Sequence, residues 1–135
     1  LDHKNVSIIS FGIRNISESE ILFLKKNKAR INIFWAKDKL KWDLKKFKKM
    51  IKNKTVYLTF DVDGLDSSIM PATGTPEPGG LLWDETLNII KIAAKNSNIV
   101  GADINELSPI KGFNSYSFLV AKLAYKILSY TFKFK

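Results

Sequence analysis

The sequence predicts an α/β fold in which a mainly parallel sheet is covered by helices. Short apolar runs suited to buried strands alternate with segments whose apolar residues recur at helical spacing. The 135 residues amount to one domain, and the 45% hydrophobic fraction is that of a folded chain. Two acidic segments, DVDGLD and DINE, follow predicted strands. Because ligands of open α/β sheets gather at the carboxyl ends of strands, these segments indicate a candidate site.

The first part of the chain predicts two strands and two helices. Val6–Ser10 is the first predicted strand, and a loop around Gly12 follows it. Ser17 is the predicted N-cap of a helix over Glu18–Asn27. Ile31–Trp35 is the second predicted strand, and a lysine-rich helix comes after it. Strand and helix therefore already alternate in this part.

The rest of the chain continues this alternation. A strand, a helix, a strand and a closing helix are predicted, in that order, over Thr55–Phe60, Trp83–Lys95, Asn98–Asp103 and Asn114–Phe132. A long loop rich in Pro, Gly and Thr separates the third strand from the next helix. No internal repeat or linker interrupts the series, so a single α/β unit is expected.

The formal net charge of +9 suggests an anionic partner, but the lysines lie mostly on a predicted helix surface. In KLKWDLKKFKKMIKNK four apolar residues recur at helical spacing: Leu40, Leu44, Phe47 and Ile51. The lysines of this segment lie mostly on the other faces of the predicted helix. The chain has only two arginines and no RNA-recognition or helix-turn-helix signature. A solvated amphipathic helix is therefore favoured over a nucleic-acid interface.

Composition also bounds the compartment and the chemistry. The chain contains no cysteine, which excludes disulfides, thiolate metal sites and cysteine nucleophiles and is typical of a reducing cytoplasm. No apolar segment is long enough to span a bilayer, and the first residues, LDHKNVSIIS, lack the pattern of a signal peptide. We therefore expect a cytoplasmic protein with no membrane and no nucleic-acid partner.

The stretch FDVDGLD places aspartates directly after the third predicted strand. Because side chains alternate along a strand, Asp61 and Asp63 are expected on the same side, roughly 7 Å apart. Like charges at that distance repel, and a cation is the natural neutraliser. The alternative interpretation is that these carboxylates cap turn amides of the following loop.

Two known motifs can be compared with these aspartates. An EF-hand counted from Asp61 needs Gly and Glu at its sixth and twelfth positions, where this chain has Asp66 and Ala72, so that motif is excluded. A haloacid-dehalogenase-type phosphatase begins with an apolar strand and DxDG, which TVYLTFDVDG resembles. Asp61 would then be the nucleophile and Asp63 the general acid/base, although Leu65 stands where that family usually has Thr. This phosphatase is the alternative enzyme.

A third interpretation covers the whole stretch. FDVDGLDSSIMPATGTPEPGGL resembles the signature of the ureohydrolases, the arginase and agmatinase family, whose usual form is S-F-D-[IV]-D-x-[LV]-D-P-x-x-A-P-[GA]-T-G-T-P-x-x-G-G. It departs at Ser67 and Met70, where the family usually has Pro and Ala. GADINELSP and FGIRN resemble two further family segments, in the right order. TPEPGGL looks closer to agmatinases than to arginases.

The resemblance implies a three-layer α/β/α, arginase-like fold with a mainly parallel sheet, of which residues 1–135 form the carboxyl-terminal part. It implies a pair of manganese ions and hydrolysis of a guanidino compound, with agmatine to putrescine and urea expected. Six positions match functional residues of the family. The resemblance makes Asp61 and Asp63 metal ligands and Thr75 and Glu106 substrate-binding residues. It makes Asp66 and Asp103 supporting acids. No catalytic residue is assigned within the chain.

Part of the family's machinery has no counterpart in this sequence. The family also uses G-G-D-H and D-A-H-x-D segments, and the single histidine here, His3, matches neither. Because the ligand set is incomplete and the chain begins at Leu1, we expect a fragment that is inactive alone. The resemblance further implies a homo-oligomer, trimer or hexamer, when full length. The alternative outside enzymology is a degenerate fragment that acts as a binding module.

Overall fold

The computed structural model describes residues 3–135, which divide into two compact units. The first unit runs to Trp42 and the second comprises Asp43–Lys135. Each unit contains one pair of parallel strands with helices between and around them. The predicted α/β class with parallel strands is therefore confirmed.

The first unit is a strand-helix-strand crossover. Strands β1 (Ile8–Ile13) and β2 (Ile31–Trp35) are joined by helix α1 (Glu18–Asn27), and Ile8 lies opposite Ile31. α1 begins where the sequence predicts: the backbone N–H of Glu20 donates to the Ser17 hydroxyl at 3.3 Å, and the Glu20 carboxylate accepts the Ser17 N–H at 2.8 Å. This reciprocal capping satisfies two N–H groups at the helix start.

Strand β1 differs from its prediction at both ends. It begins at Ile8 and continues through Gly12, where a loop was expected. Gly12 has a φ of 78° and lies at a bulge in the pairing between Phe11 and Ile13. A glycine tolerates this backbone without steric strain, so the strand can pass the irregularity and continue.

The lysine-rich segment forms two helices instead of one. Ala36–Lys41 consists of 3-10 turns with a kink at Asp38, and helix α2 covers only Leu44–Ile51. Asp43 caps α2, because its carboxylate accepts the N–H of Lys46 at 2.9 Å. Phe47 and Ile51 are buried as predicted, whereas Leu40 is fully exposed, so its assignment to the apolar face was wrong. The cap at position 43 places Leu40 outside the helical register.

The second unit contains α2, β3 (Thr55–Asp61), α3 (Trp83–Asn96), β4 (Asn98–Asn105) and α4 (Asn114–Lys133). β3 and β4 are parallel, with Thr59 opposite Asp103 and Asp61 opposite Asn105. The bounds of β3, α3, β4 and α4 lie within two residues of the predicted ones, because their apolar runs and helical repeats are long and uninterrupted.

One face of the β3–β4 pair packs against α3 and α4. Ile90 of α3 and Leu123 and Ile127 of α4 form a buried cluster, and Leu58 and Phe60 of β3 pack against it together with Ile104 of β4. Side chains alternate along a strand, so Tyr57, Thr59 and Asp61 lie on the other face of β3. The polar face of the pair thus carries the candidate site.

Among residues 3–135, the structure contains no helix that is both long enough and apolar enough to cross a membrane.

Candidate functional site

The first acidic segment changes conformation at Asp61. β3 ends there, and Val62–Gly64 forms a single 3-10 turn with Val62 fully buried. The backbone N–H of Asp63 donates to Asp61 Oδ1 at 3.0 Å. The extended geometry predicted for Asp61 and Asp63 was therefore wrong, because the chain turns directly after the strand. Asp61 therefore caps the amide of the turn and also belongs to the group of carboxylates, so both interpretations of the sequence apply to it.

The loop after this turn is held from within by Asp66. Its carboxylate accepts hydrogen bonds from the backbone of Ser68 at 2.9 Å, of Gly79 at 2.7 Å and of Gly80 at 3.1 Å. A hydrogen bond from the hydroxyl of Ser68 is the largest cause that lowers the pKa of Asp66, and these backbone bonds lower it further. The carboxylate therefore ties the two ends of the Pro/Gly-rich loop together as an anion.

Backbone contacts and one glycine complete the closure of the loop. The N–H of Asp66 donates to the carbonyl of Leu81 at 2.9 Å, and the N–H of Leu81 donates to the carbonyl of Gly64 at 2.9 Å. A Cβ at Gly80 would lie 2.5 Å from the backbone carbonyl carbon and oxygen of Leu65. Only glycine permits so close an approach of two backbone segments.

The loop also reaches the second acidic segment. Thr73 forms an isolated antiparallel bridge with Leu107, and the N–H of Ser108 donates to the carbonyl of Ala72 at 2.9 Å. Glu106 stands directly before this bridge and has a φ of 65°, a left-handed conformation that is uncommon for a residue with a Cβ. The loop after β3 and the chain after β4 are thus fixed to one another beside Glu106.

Four of the predicted site residues, Asp61, Asp63, Thr75 and Glu106, interact at the ends of β3 and β4. Thr75 Oγ1 donates to Asp63 Oδ2 at 3.0 Å. Partial burial is the largest cause that raises the pKa of Asp61, and the negative charges of Asp63 and Glu106 raise it further, while the N–H of Asp63 lowers it. An anionic cluster of this kind favours the approach of a cation.

Carboxylate oxygens are ligands that manganese accepts, so Asp61 and Asp63 suit this ion in kind. They do not suffice in number. Within residues 3–135 no three His, Cys, Asp or Glu side chains lie where they could jointly hold a metal ion. The manganese site implied by the resemblance is therefore incomplete in the part of the chain that the structure describes.

Asp103 lies on the polar face of the strand pair, in a hydrogen-bond network. It accepts the hydroxyl of Thr59 at 2.8 Å and the side-chain amide of Asn105. These bonds and one from Tyr57 lower the pKa of Asp103, with Thr59 as the largest cause. The hydrogen bond between Tyr57 and Asp103 also raises the pKa of Tyr57. Asp103 is thereby fixed beside Asn105, which pairs with Asp61 across the strands.

The sequence alone does not single out Tyr57, Thr59 or Asn105. Because side chains alternate along a strand, Tyr57 and Thr59 share a face with Asp61, and this alternation could have identified them as site residues. Their meeting with Asp103 depends on the register between β3 and β4, which contains a shift between Val56 and Tyr57. The ring of Tyr57 also lies against Gly101, where a Cβ would be 2.8 Å from a ring carbon.

Comparisons with known proteins agree on one family. The arginase family model matches residues 2–129. N(1)-aminopropylagmatine ureohydrolase of Synechocystis is 39% identical over 126 residues, which are 90% of this chain and 40% of that protein. Agmatinase of Pyrococcus horikoshii is 31% identical over 125 residues, which are 91% of this chain and 42% of that protein.

Solved structures give the same result for the fold. The crystal structure of agmatine ureohydrolase of Thermoplasma volcanium matches 94% of this chain and 43% of its own, with a TM-score of 0.77 and 32% identity. The chain thus spans less than half the length of these relatives. The phosphatase alternative receives no support from these comparisons. With the signature loop, the acidic strand ends and the matched length, the chain belongs to the arginase family.

Proposed function

We propose that residues 1–135 form the carboxyl-terminal part of a ureohydrolase domain. The reaction is the manganese-dependent hydrolysis of a guanidino compound, with agmatine as substrate and putrescine and urea as products. The observation that carries the proposal is the convergence of Asp61, Asp63 and Glu106 beyond the ends of two parallel strands, where partial burial and then the charges of Asp63 and Glu106 raise the pKa of Asp61. A planar, delocalised cation such as guanidinium suits this anionic cluster.

Glu106 binds the guanidinium group in this proposal, because a carboxylate can accept two parallel N–H bonds from that planar cation. The left-handed backbone at Glu106 and the bridge between Thr73 and Leu107 support a fixed direction for the side chain. Thr75 binds substrate next to it, and its hydroxyl also donates to Asp63. Hydrolysis forms a carbon–oxygen bond from water, breaks the carbon–nitrogen bond to the alkyl amine and releases urea and the protonated amine.

Asp61 and Asp63 are the metal ligands that this chain contributes, and the remaining ligands come from outside it. The chemistry expected from bound manganese is the supply of hydroxide near neutral pH, which a poorly electrophilic guanidinium carbon requires. Asp66 supports the site by holding the loop that carries Thr75, and Asp103 supports it through Asn105. Because two aspartates do not complete the site, the isolated chain is inactive.

The full-length assembly is a cytoplasmic homo-oligomer, a trimer or hexamer, in this proposal. Related guanidino substrates, such as an aminopropyl derivative of agmatine, are compatible with the same anionic cluster, because the cluster contacts only the guanidinium end. The length of the amine would be selected by contacts beyond these residues.

The test is complementation of the missing part. The chain is purified alone and, separately, co-expressed with the amino-terminal part of the Synechocystis relative that it does not match, and urea release from agmatine is measured with manganese. We expect no urea from the chain alone and measurable urea from the complex. Asp61→Asn and Glu106→Gln should each abolish the activity of the complex, whereas Glu18→Gln on α1 should leave it unchanged.

Two results would contradict the proposal. The first is urea release that is unaffected by both Asp61→Asn and Glu106→Gln. The second is hydrolysis of p-nitrophenyl phosphate with magnesium that Asp61→Asn abolishes, which would favour the phosphatase. Failure of the two parts to associate, shown by size-exclusion chromatography, is resolved by fusing them into one chain and repeating the urea assay.

A further inference from the structure

Helix α4 has two apolar faces. Val120, Leu123 and Ile127 are buried in the second unit. The other face is exposed and its residues follow one another at intervals of three, four, three and four: Phe118, Ala121, Tyr125, Leu128 and Phe132. These five residues are called the outer seam below. Phe118 is 71% and Phe132 70% exposed, so the seam lies open along nearly the whole helix.

The spacing of the outer seam is that of the a and d positions of a heptad. A helix that packs on a core by one face normally carries polar residues on the other. Four of the five seam residues, all but Ala121, are large, and an apolar row of this length is typical of a protein contact surface. The heptad spacing indicates that the fitting surface is another helix.

The charges around the outer seam are of one sign. Residues 107–135 contain five lysines and neither Asp nor Glu. Lys122, Lys126 and Lys133 are four and seven positions apart and therefore follow one flank of the seam. The ammonium group of Lys122 lies 5.5 Å from the ring centre of Tyr125, a seam residue. The seam is thus an apolar row with a basic border.

A second copy of α4 does not complement this border. Two copies in antiparallel orientation would bring the lysine flanks together, and in parallel orientation each lysine flank would face residues without a negative charge. A lipid surface would accept the lysines, but it offers no row of side chains to match the heptad spacing and is therefore the poorer fit. A helix with apolar residues at heptad spacing and Asp or Glu on its flank matches both the apolar row and the basic border.

We propose that the outer seam of α4 docks an acidic amphipathic helix of another polypeptide segment. The proposal depends on α4 alone and not on the ureohydrolase chemistry, whose residues lie at the ends of β3 and β4. Binding would bury the apolar row and place carboxylates beside Lys122 and Lys126. The interaction should therefore weaken with salt while keeping an apolar component.

The probe is a synthetic fluorescent peptide of about 20 residues, long enough for a stable docked helix, with Leu at the a and d positions and Glu on both flanks. The control peptide has Lys in place of every Glu. Binding to the 135-residue chain is followed by fluorescence anisotropy at low salt and at about 0.5 M NaCl, where charges more than a few ångströms apart are screened. We expect the Glu peptide to bind at least about tenfold more tightly than the Lys peptide.

Variants of the chain separate the two components of binding. Tyr125→Ser with Leu128→Ser should weaken the Glu peptide at least about tenfold, because both residues lie at the centre of the seam. Lys122→Glu with Lys126→Glu should reverse the preference between the two peptides. Leu22→Ser, an exposed leucine of α1, is the matched control and should leave binding unchanged. Circular dichroism of each variant verifies that the fold is retained.

Three outcomes would overturn the proposal. Equal binding of the two peptides, or none, would contradict the charge argument. Self-association of the chain that Tyr125→Ser with Leu128→Ser abolishes, measured by sedimentation equilibrium, would assign the seam to a second copy. Binding to phosphatidylserine vesicles that depends on the seam, without binding of the Glu peptide, would assign it to a membrane surface.

Discussion

The loop between Leu65 and Leu81 and the helix α1 show that regular structure and firm packing are separate properties. The loop has little regular structure, yet Leu65, Met70 and Ala72 are almost completely buried. α1 is a regular ten-residue helix with a complete capping box, yet none of its residues is buried. The irregular segment is the one that carries Asp66 and Thr75.

This difference has a physical cause. The loop is held by side-chain burial, by the carboxylate of Asp66 and by close backbone approach at Gly80. The helix is held by its own backbone hydrogen bonds and its cap, which any sequence of suitable propensity can supply. A site that must place several side chains accurately needs the first kind of support.

The largest expected effect compares one leucine from each region. Leu65 is 1% exposed and Leu22 of α1 is 53% exposed. Leu65→Ala should lower the free energy of unfolding by about 2 to 5 kcal/mol, because it removes buried methyl groups and leaves a cavity. Leu22→Ala should change it by about 0.5 kcal/mol or less. Urea denaturation followed by circular dichroism measures both, and similar losses would contradict the comparison.

The second prediction concerns the backbone approach inside the loop. Gly80→Ala should lower the free energy of unfolding by about 1 to 3 kcal/mol, because the new Cβ would meet the carbonyl of Leu65 at 2.5 Å. Gly74→Ala is the matched control in the same loop, since an added Cβ there meets no atom within 4 Å. The same urea titration applies, and an equal effect of the two substitutions would show that the loop adapts freely.

The third prediction concerns the anion inside the loop. Asp66→Asn should lower the free energy of unfolding by about 1 to 2 kcal/mol at neutral pH, because an amide N–H₂ would meet backbone N–H donors. The value lies at the lower end for charged hydrogen bonds since the carboxylate is accessible to water. Asp84→Asn, at the exposed start of α3, is the control, with about 0.5 kcal/mol or less expected.

The same variant gives a pH dependence with a defined sign. The pKa of Asp66 is lowered from its usual 3.8, so folding favours the ionised form. Its contribution is present above the unfolded pKa and is lost as the pH falls through the lower folded one. The difference between Asp66→Asn and the unaltered chain should therefore be constant at neutral pH and shrink below pH 3.8. A difference that is independent of pH would contradict the role of the anion.

The smallest effect belongs to the cap of α1. Ser17→Ala should lower the free energy of unfolding by about 1 kcal/mol, because it leaves the N–H of Glu20 without the serine acceptor. Ser7→Ala, an exposed serine outside the helices, is the control and should change it by less than about 0.5 kcal/mol. A loss of helical signal confined to the first variant would confirm that capping, and not burial, holds α1.

Element positions could be predicted well, and the reasons are local. Ser17 and Glu20 form a capping box that specifies the start of α1 in four residues. Leu40 was misassigned because its spacing fits the apolar face, while the cap at Asp43 starts the helix later. The capping box of α1 and the cap at Asp43 can both be found in the sequence. Only for α2 did the prediction require a choice between two local signals, the spacing of Leu40 and the cap at Asp43.

For the candidate site, the sequence nominates residues but does not give their geometry. The signature loop identifies Asp61, Asp63 and Asp66, yet the 3-10 turn at Val62 replaces the extended arrangement expected. Strand alternation puts Thr59 on the same face as Asp61, but its bond to Asp103 spans 44 positions and depends on the register of two strands. Such long-range pairings are decided by tertiary packing and not by local propensity.

By itself, the sequence determined the α/β class, most element bounds, the family resemblance and the six candidate residues, because these rest on local spacing and on a long ordered motif. Only the tertiary structure decided that Asp66 clamps its loop, that Glu106 adopts a left-handed backbone and that α4 keeps a second apolar face exposed. These features arise where segments distant in the chain meet, and the free energy of such contacts depends on packing that no single segment encodes.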